Sequence, residues 1–193
     1  LGQKRITSEA CVHHLWFDAT QYDQMGSKIK CNPAIKAPEN KAAILQAVID
    51  DRIDVIATDH APHTWAEKQN KYQKAPAGLP LVQHSVLMMM EMVTEGKISL
   101  EKVSHKMSGA VAECFNLNDR GYMKEGYKAD LVLIDPLSSY QVNKSNILFK
   151  CGWSPLEGYQ FKNSIDSTFV NGKLVYANGK LTGAKPGERL RFN

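Results

Sequence analysis

Hydrophobic positions along the chain fall into a few readable patterns. In KAAILQAVIDD, Ile44, Leu45, Val48 and Ile49 recur at helical spacing, and Pro38-Glu39-Asn40 ahead of them supplies a start signal, so a helix is predicted over 41–51. The run Ile53, Val55, Ile56, Ala57 is short, β-branched and bounded by charge, which reads as a buried parallel strand. Upstream, the stretches from Arg5 to Leu15 and from Lys28 to Cys31 read as extended, with Asn32-Pro33 as a turn. Strand, loop, strand, helix, strand is the order in which a parallel α/β barrel is built.

Residues 64–79 are rich in Lys, Gln and Ala and read as a mobile polar loop. LPLVQHSVLMMMEMVTEGK then predicts a helix closed by Gly96, with Met88, Met89, Met90 and Met92 as core filler. Ser99 is placed to cap a further helix carrying Leu100, Val103, Met107, Val111 and Phe115. After Leu117 the pattern changes. Leu131 to Ile134 form an apolar run, and STFVNGKLVYANGKL is a hairpin signal, with Asn171-Gly172 between strand-like runs and Asn178-Gly179 closing the second. The expected organisation is 1–117 as the carboxyl-terminal part of a (β/α)8 TIM-like barrel and 118–193 as a small β-rich, sandwich-like domain.

Composition narrows the function classes. The 193 residues carry 24 basic and 20 acidic side chains, a net charge of +4, with no basic stripe or interleaved aromatic set that would suggest nucleic acid. Cys11, Cys31, Cys114 and Cys151 lie far apart with no CxxC pair, so a zinc ribbon is not expected and reduced, buried thiols in a cytoplasmic protein are. The longest apolar stretch, near Leu81 to Val93, is interrupted by Gln83, His84, Ser85 and Glu91, so no membrane span is predicted. The chain opens without methionine and runs almost at once into a strand-like segment. A portion of a longer protein is therefore expected.

The densest chemistry lies in IDVIATDHAPHT, where Asp59, His60 and His63 follow the strand that ends near Ala57. Parallel α/β folds place their reactive groups at carboxyl ends of strands. A capping aspartate with surface histidines is the plain structural reading of the same residues.

ATDHAPHT, preceded by KCNPAIK and SEACVHHL, resembles the carboxyl-terminal half of the dihydroorotases, cyclic amidases of the amidohydrolase superfamily. GYKADLVLIDP, CGWSPLEG and VNGKLVY resemble the small β-domain beside their barrel. The resemblance implies a barrel holding one or two zinc ions, with Asp59 as metal ligand and as the carboxylate that moves the proton. The other implied ligands, a His-x-His among them, have no counterpart in this chain, and by itself it is expected to be inactive. Ring opening of a cyclic amide needs a nucleophile at neutral pH, which a metal provides by lowering the pKa of water to roughly 7. Asn32 and His63 match substrate-binding positions, and Ala77 and Gly78 match the backbone that lies over the substrate. His60 is expected to orient the loop.

Three departures stand out: Lys36 where many relatives have arginine, Ala77 where a bulkier residue is usual, and KMSGAVAECF without the common Asn-Pro. The implied partners are a small-molecule substrate, copies of the chain in a homo-oligomer, and an aspartate transcarbamoylase. The rivals are an allantoinase or dihydropyrimidinase of the same superfamily, and a scaffold that has kept the fold without catalysis.

Overall fold

A computed structural model describes residues 6–192. Strands β1 (Glu9–Cys11) and β2 (Val55–Ala57) pair in parallel, with Ala10 opposite Ile56 and Cys11 opposite Ala57. Three helices lie between them: α1 (Val12–Trp16), α2 (Tyr22–Met25) and α3 (Pro38–Ile49). This is the parallel strand, crossover, strand unit expected of a barrel. Asp54, buried just before β2, accepts from the Ser8 backbone N–H at 2.9 Å and so locks the entry of one strand to that of the other.

Helix α3 begins at Pro38, three residues before the predicted start, because proline is preorganised for the first helical position, where its missing N–H costs nothing. Val48 is fully buried on its inner face. The extended reading of 5–15 is corrected. Arg5 lies outside the described residues, the strand is only three residues long, and the chain turns helical at Val12, which puts Val12, His13 and Leu15 together in the interior. The extended reading of 28–31 is corrected as well, since Gly26–Ile29 is a 3-10 turn that sinks Ile29 into the core.

The polar segment is more ordered than its composition suggests. It carries the short helix α4 (Trp65–Lys68), started by a reciprocal cap in which Thr64 Oγ1 accepts from the Glu67 N–H and Glu67 Oε2 accepts from the Thr64 N–H at 2.7 Å. Helix α5 (Ser85–Thr94) is buried nearly all round, and Met88, Met89, Met90 and Met92 fill the interior as their spacing predicts. Ser99 Oγ caps α6 (Leu100–Ser104), accepting from the Lys102 N–H at 3.1 Å. A π-turn, His105–Gly109, joins α6 to α7 (Ala110–Cys114). At this wide turn the Tyr122 ring lies so close to Gly109 that an added Cβ would sit 2.6 Å from it.

Beyond Asn118 the regular structure among the described residues is all strand. β3 (Leu131–Asp135), β6 (Ser164–Val170), β7 (Lys173–Ala177) and β8 (Lys180–Leu181) form an antiparallel sheet in the order β3-β6-β7-β8. The predicted hairpin at Asn171-Gly172 is present, and Asn178-Gly179, where the second run closes, turns the chain into the further strand β8. Asn171-Gly172 and Asn178-Gly179 all have positive φ, the requirement of the tight turn whose twist matches the strands. β4 (Tyr140–Gln141) and β5 (Gln160–Phe161) pair separately, and Val142, Leu156 and Phe161 pack into the same core as Leu15, Met88 and Met89. Residues 140–161 thus close over the helices rather than joining the larger sheet. No helix among the described residues is long and apolar enough to cross a membrane.

Candidate active site

The chain leaves β2 through Thr58 and reaches Asp59 with φ +44°, a conformation uncommon for a residue with a side chain. The Asp59 carboxylate is exposed and, among the described residues, forms no hydrogen bond. Its charge reaches two thiols, Cys11 at the end of β1 and Cys31. Burial, then Glu9, then Asp59 push the Cys11 thiol up to about 12. Burial above all raises Cys31 to about 11, with Asp59 adding to it. Both thiols are therefore protonated near neutrality and are poor nucleophiles.

His60 turns inward as expected of a loop-orienting residue. Its Nδ1 accepts from the backbone N–H groups of Leu81 and Val82 at 3.1 and 3.2 Å, so the proton of the neutral ring is on Nε2. Burial holds its pKa below the usual imidazole range. These bonds fix the entry to α5 relative to β2.

His63 is half-buried, and its Nε2 lies 3.0 Å from the Ala77 carbonyl oxygen. A carbonyl only accepts, so Nε2 carries the proton and Nδ1 is the nitrogen available to a ligand. The His63 backbone carbonyl accepts from Trp153 Nε1 at 2.8 Å. Gly78, with φ +132°, is pressed so closely against this loop that an added Cβ would lie 2.4 Å from Ala61 Cβ and 3.3 Å from the His63 ring. Any other residue there would drive the two segments apart. The Gly78 N–H donates to the Lys30 carbonyl at 2.8 Å, which brings the loop to within two residues of Asn32. Asn32 is exposed and precedes a cis bond to Pro33, whose carbonyl accepts from His14 Nε2 at 2.7 Å.

His63, Ala77 and Gly78 are thus in direct contact, the bond from Gly78 to Lys30 ends two residues from Asn32, and no described hydrogen bond or ion pair joins Asp59 to any of them. Two residues that the sequence reading passed over complete the arrangement. Lys68, read as part of a solvated loop, has no exposed surface and donates to three carbonyls around Ala77. Trp153, in the β-rich tail, anchors His63. The capping pattern Thr64-x-x-Glu67 was the available signal for the first; nothing local signals the second.

The metal that the resemblance implies fits these residues only in part. Asp59 is a ligand of suitable type at a strand end, but a catalytic site takes about three protein ligands, and no group of three ligand atoms among the described residues includes it. The one group of three metal-ligating atoms among the described residues is Cys11, His13 and His14, all within 4.8 Å of one another.

An amidohydrolase family model matches residues 4–175. The chain is 35% identical over 185 residues to a dihydroorotase of Halobacterium salinarum, covering 96% of this chain and 43% of that protein. It is 35% identical over 172 residues to a dihydroorotase of Clostridium acetobutylicum, covering 89% and 40%. Among solved structures, the L-hydantoinase (dihydropyrimidinase) of Arthrobacter aurescens superposes with a TM-score of 0.84 at 24% identity, over 91% of this chain and 40% of that one. A D-hydantoinase structure gives 0.83 at 22% identity. The likeness to these two structures is one of fold. The chain spans about two fifths of the length of the curated relatives it matches.

Proposed function

This chain belongs to the amidohydrolase family, and from that premise we propose that its residues form the carboxyl-terminal part of a zinc-dependent dihydroorotase. The reaction would interconvert dihydroorotate and N-carbamoyl-aspartate by opening and closing a cyclic amide. The observation that carries the reading is the junction at the end of β2. There an exposed carboxylate at positive φ lies four residues before His63, whose imidazole meets the Ala77-Gly78 backbone, and Gly78 in turn bonds Lys30, two residues from the exposed Asn32.

In hydrolysis, water adds to the amide carbon, the carbon–nitrogen bond breaks, and the ring nitrogen takes up a proton. Asp59 accepts the proton from the attacking water and returns it to the leaving nitrogen, a carboxylate working first as base and then as acid. A bound zinc would supply Lewis acidity toward the carbonyl. Asp59 would be one of its ligands, with the others contributed from outside this chain. Asn32, with a donor and an acceptor on one amide, suits the imide edge of a dihydropyrimidine, and His63 Nδ1 suits its carboxylate when the ring is protonated. The backbone at Ala77-Gly78 lies over the ring, close because Gly78 has no side chain to hold it off. The same reading carries a cytoplasmic location and association with copies of the chain or with an aspartate transcarbamoylase.

A second reading, an amidase of hydantoin-type rings, draws on the fold likeness to the hydantoinases. The test is a comparison of kcat/KM on dihydroorotate, allantoin and hydantoin by the complete protein, with the rest of its barrel and zinc in place. Dihydroorotate is expected to exceed the others at least a hundredfold. A preference for hydantoin or allantoin would give the site to the second reading, and no opening of any ring would leave the scaffold.

A further inference from the structure

Lys68 has no exposed surface, although α4 is otherwise exposed and four residues long. A buried ammonium ordinarily meets a carboxylate. Among the described residues Lys68 meets none. Its Nζ donates instead to backbone carbonyls, at 2.9 Å to Gly78, 3.0 Å to Pro76 and 3.4 Å to Lys30, and lies 5.8 Å from the centre of the Trp153 ring. Three N–H donors thus meet three acceptors. Burial lowers its pKa to about 8, which still leaves the ammonium charged at neutral pH.

The identity of the three carbonyls matters more than their number. Those of Pro76 and Gly78 flank Ala77, whose own carbonyl holds His63 Nε2, and that of Lys30 also receives the Gly78 N–H. The ammonium therefore sits where the segments bearing Asn32, His63 and Ala77-Gly78 converge. The α4 end is moored in turn by Ser27 Oγ donating to the Lys68 carbonyl, and Lys30 Nζ reaches back to the carbonyls of Tyr72 and Ala75 at 2.7 and 2.6 Å. An apolar side chain of similar length would fill the space. It would also leave the Pro76 and Gly78 carbonyls without the donor they share, and the Lys30 carbonyl with the Gly78 N–H alone.

We infer that Lys68 is a positioning residue: its buried ammonium gathers the carbonyls of Lys30, Pro76 and Gly78 and thereby sets the Ala77-Gly78 backbone against His63 and Asn32. The inference rests on the reading of those residues as the dihydroorotate site. Lys68 touches neither Asp59 nor the reacting atoms, so its loss acts on substrate binding more than on turnover.

The test uses the complete, zinc-loaded protein and two readouts. In Lys68→Met, KM for dihydroorotate should rise at least tenfold while kcat changes less than threefold and zinc content stays the same. Hydrogen exchange should show the Gly78 amide losing at least tenfold protection while Val48 and Met88 keep theirs. Lys68→Arg keeps the charge on a planar fork that fits three convergent carbonyls poorly; it should fall between wild type and Met in both readouts, and it decides the matter alone if the Met variant does not fold. Wild-type KM and wild-type Gly78 protection in a folded variant would overturn the inference. So would loss of protection throughout the core with a matching fall in kcat, since that is the signature of general destabilisation. If the wild-type protein does not act on dihydroorotate, the functional reading fails on its own, and exchange at Gly78 still decides whether Lys68 holds the loop.

Discussion

At the scale of single residues, the site depends on side chains whose second contact fixes the first. His63 is the clearest case. Its Nε2–H is committed to the Ala77 carbonyl, so the ring cannot swing and Nδ1 keeps one heading. His63→Ala is expected to weaken dihydroorotate binding by about 1.5–3 kcal/mol, the usual loss for a hydrogen bond to a charged group. Zinc content should not change. Calorimetric titration and elemental analysis check both parts, and loss of zinc would show that His63 is a metal ligand. His13 stands at the other extreme. It is buried with neither ring nitrogen partnered among the described residues, while its neighbour His14 ties the Pro33 carbonyl.

At the scale of elements, what was legible in the sequence was what neighbours in the chain decide among themselves. Helix α3 followed from Ile44, Leu45, Val48 and Ile49, the α6 cap from Ser99, and the β6-β7 hairpin from Asn171-Gly172, whose positive φ is a local demand. Distant contacts decided the rest. Val12 to Trp16 is a plausible strand by composition, yet it turns helical because that brings Val12 and Leu15 into a core made by α3, α5 and residues 140–161. The composition of 64–79 suggests a solvated loop, because lysine is a surface residue in most settings. One of its lysines, Lys68, is in fact one of the most deeply buried side chains among the described residues, and three carbonyls from two separate stretches, Lys30 and Pro76 to Gly78, make that tolerable. For the site, the strand-end position of Asp59 was readable from a short β-branched run. The contact of His63 with Ala77, 14 residues on, depends on the fold of the intervening loop.

At the scale of the whole molecule, buried imidazoles make stability depend on pH in a stated direction. Burial lowers His84 to about 4, and burial followed by the charge of His14 lowers His13 to about 3, both beneath the unfolded value near 6.5. Between those limits the unfolded chain binds more protons than the folded one. The stability these residues contribute is therefore complete above about pH 6.5 and declines as pH falls toward 4 and then 3. Each histidine accounts for about 1.4 kcal/mol per pH unit in that window. Urea midpoints should fall steadily between pH 6.5 and 5, before most carboxylates titrate, and a midpoint that holds constant across that interval would show the rings to be solvated.

The same architecture brings one carboxylate to the end of β2 and sets His63 against the Ala77-Gly78 backbone in the loop beyond it, and the proposed chemistry depends on Asp59 above all. The decisive measurement is dihydroorotate turnover by the complete, zinc-loaded protein carrying Asp59→Asn, with zinc content and thermal unfolding recorded alongside. Because Asp59 is exposed and forms no hydrogen bond among the described residues, the substitution should leave the fold intact. Because an amide cannot carry the proton, kcat should fall by about 10²-fold or more. A folded, zinc-loaded variant that turns over dihydroorotate near the wild-type rate would contradict the account.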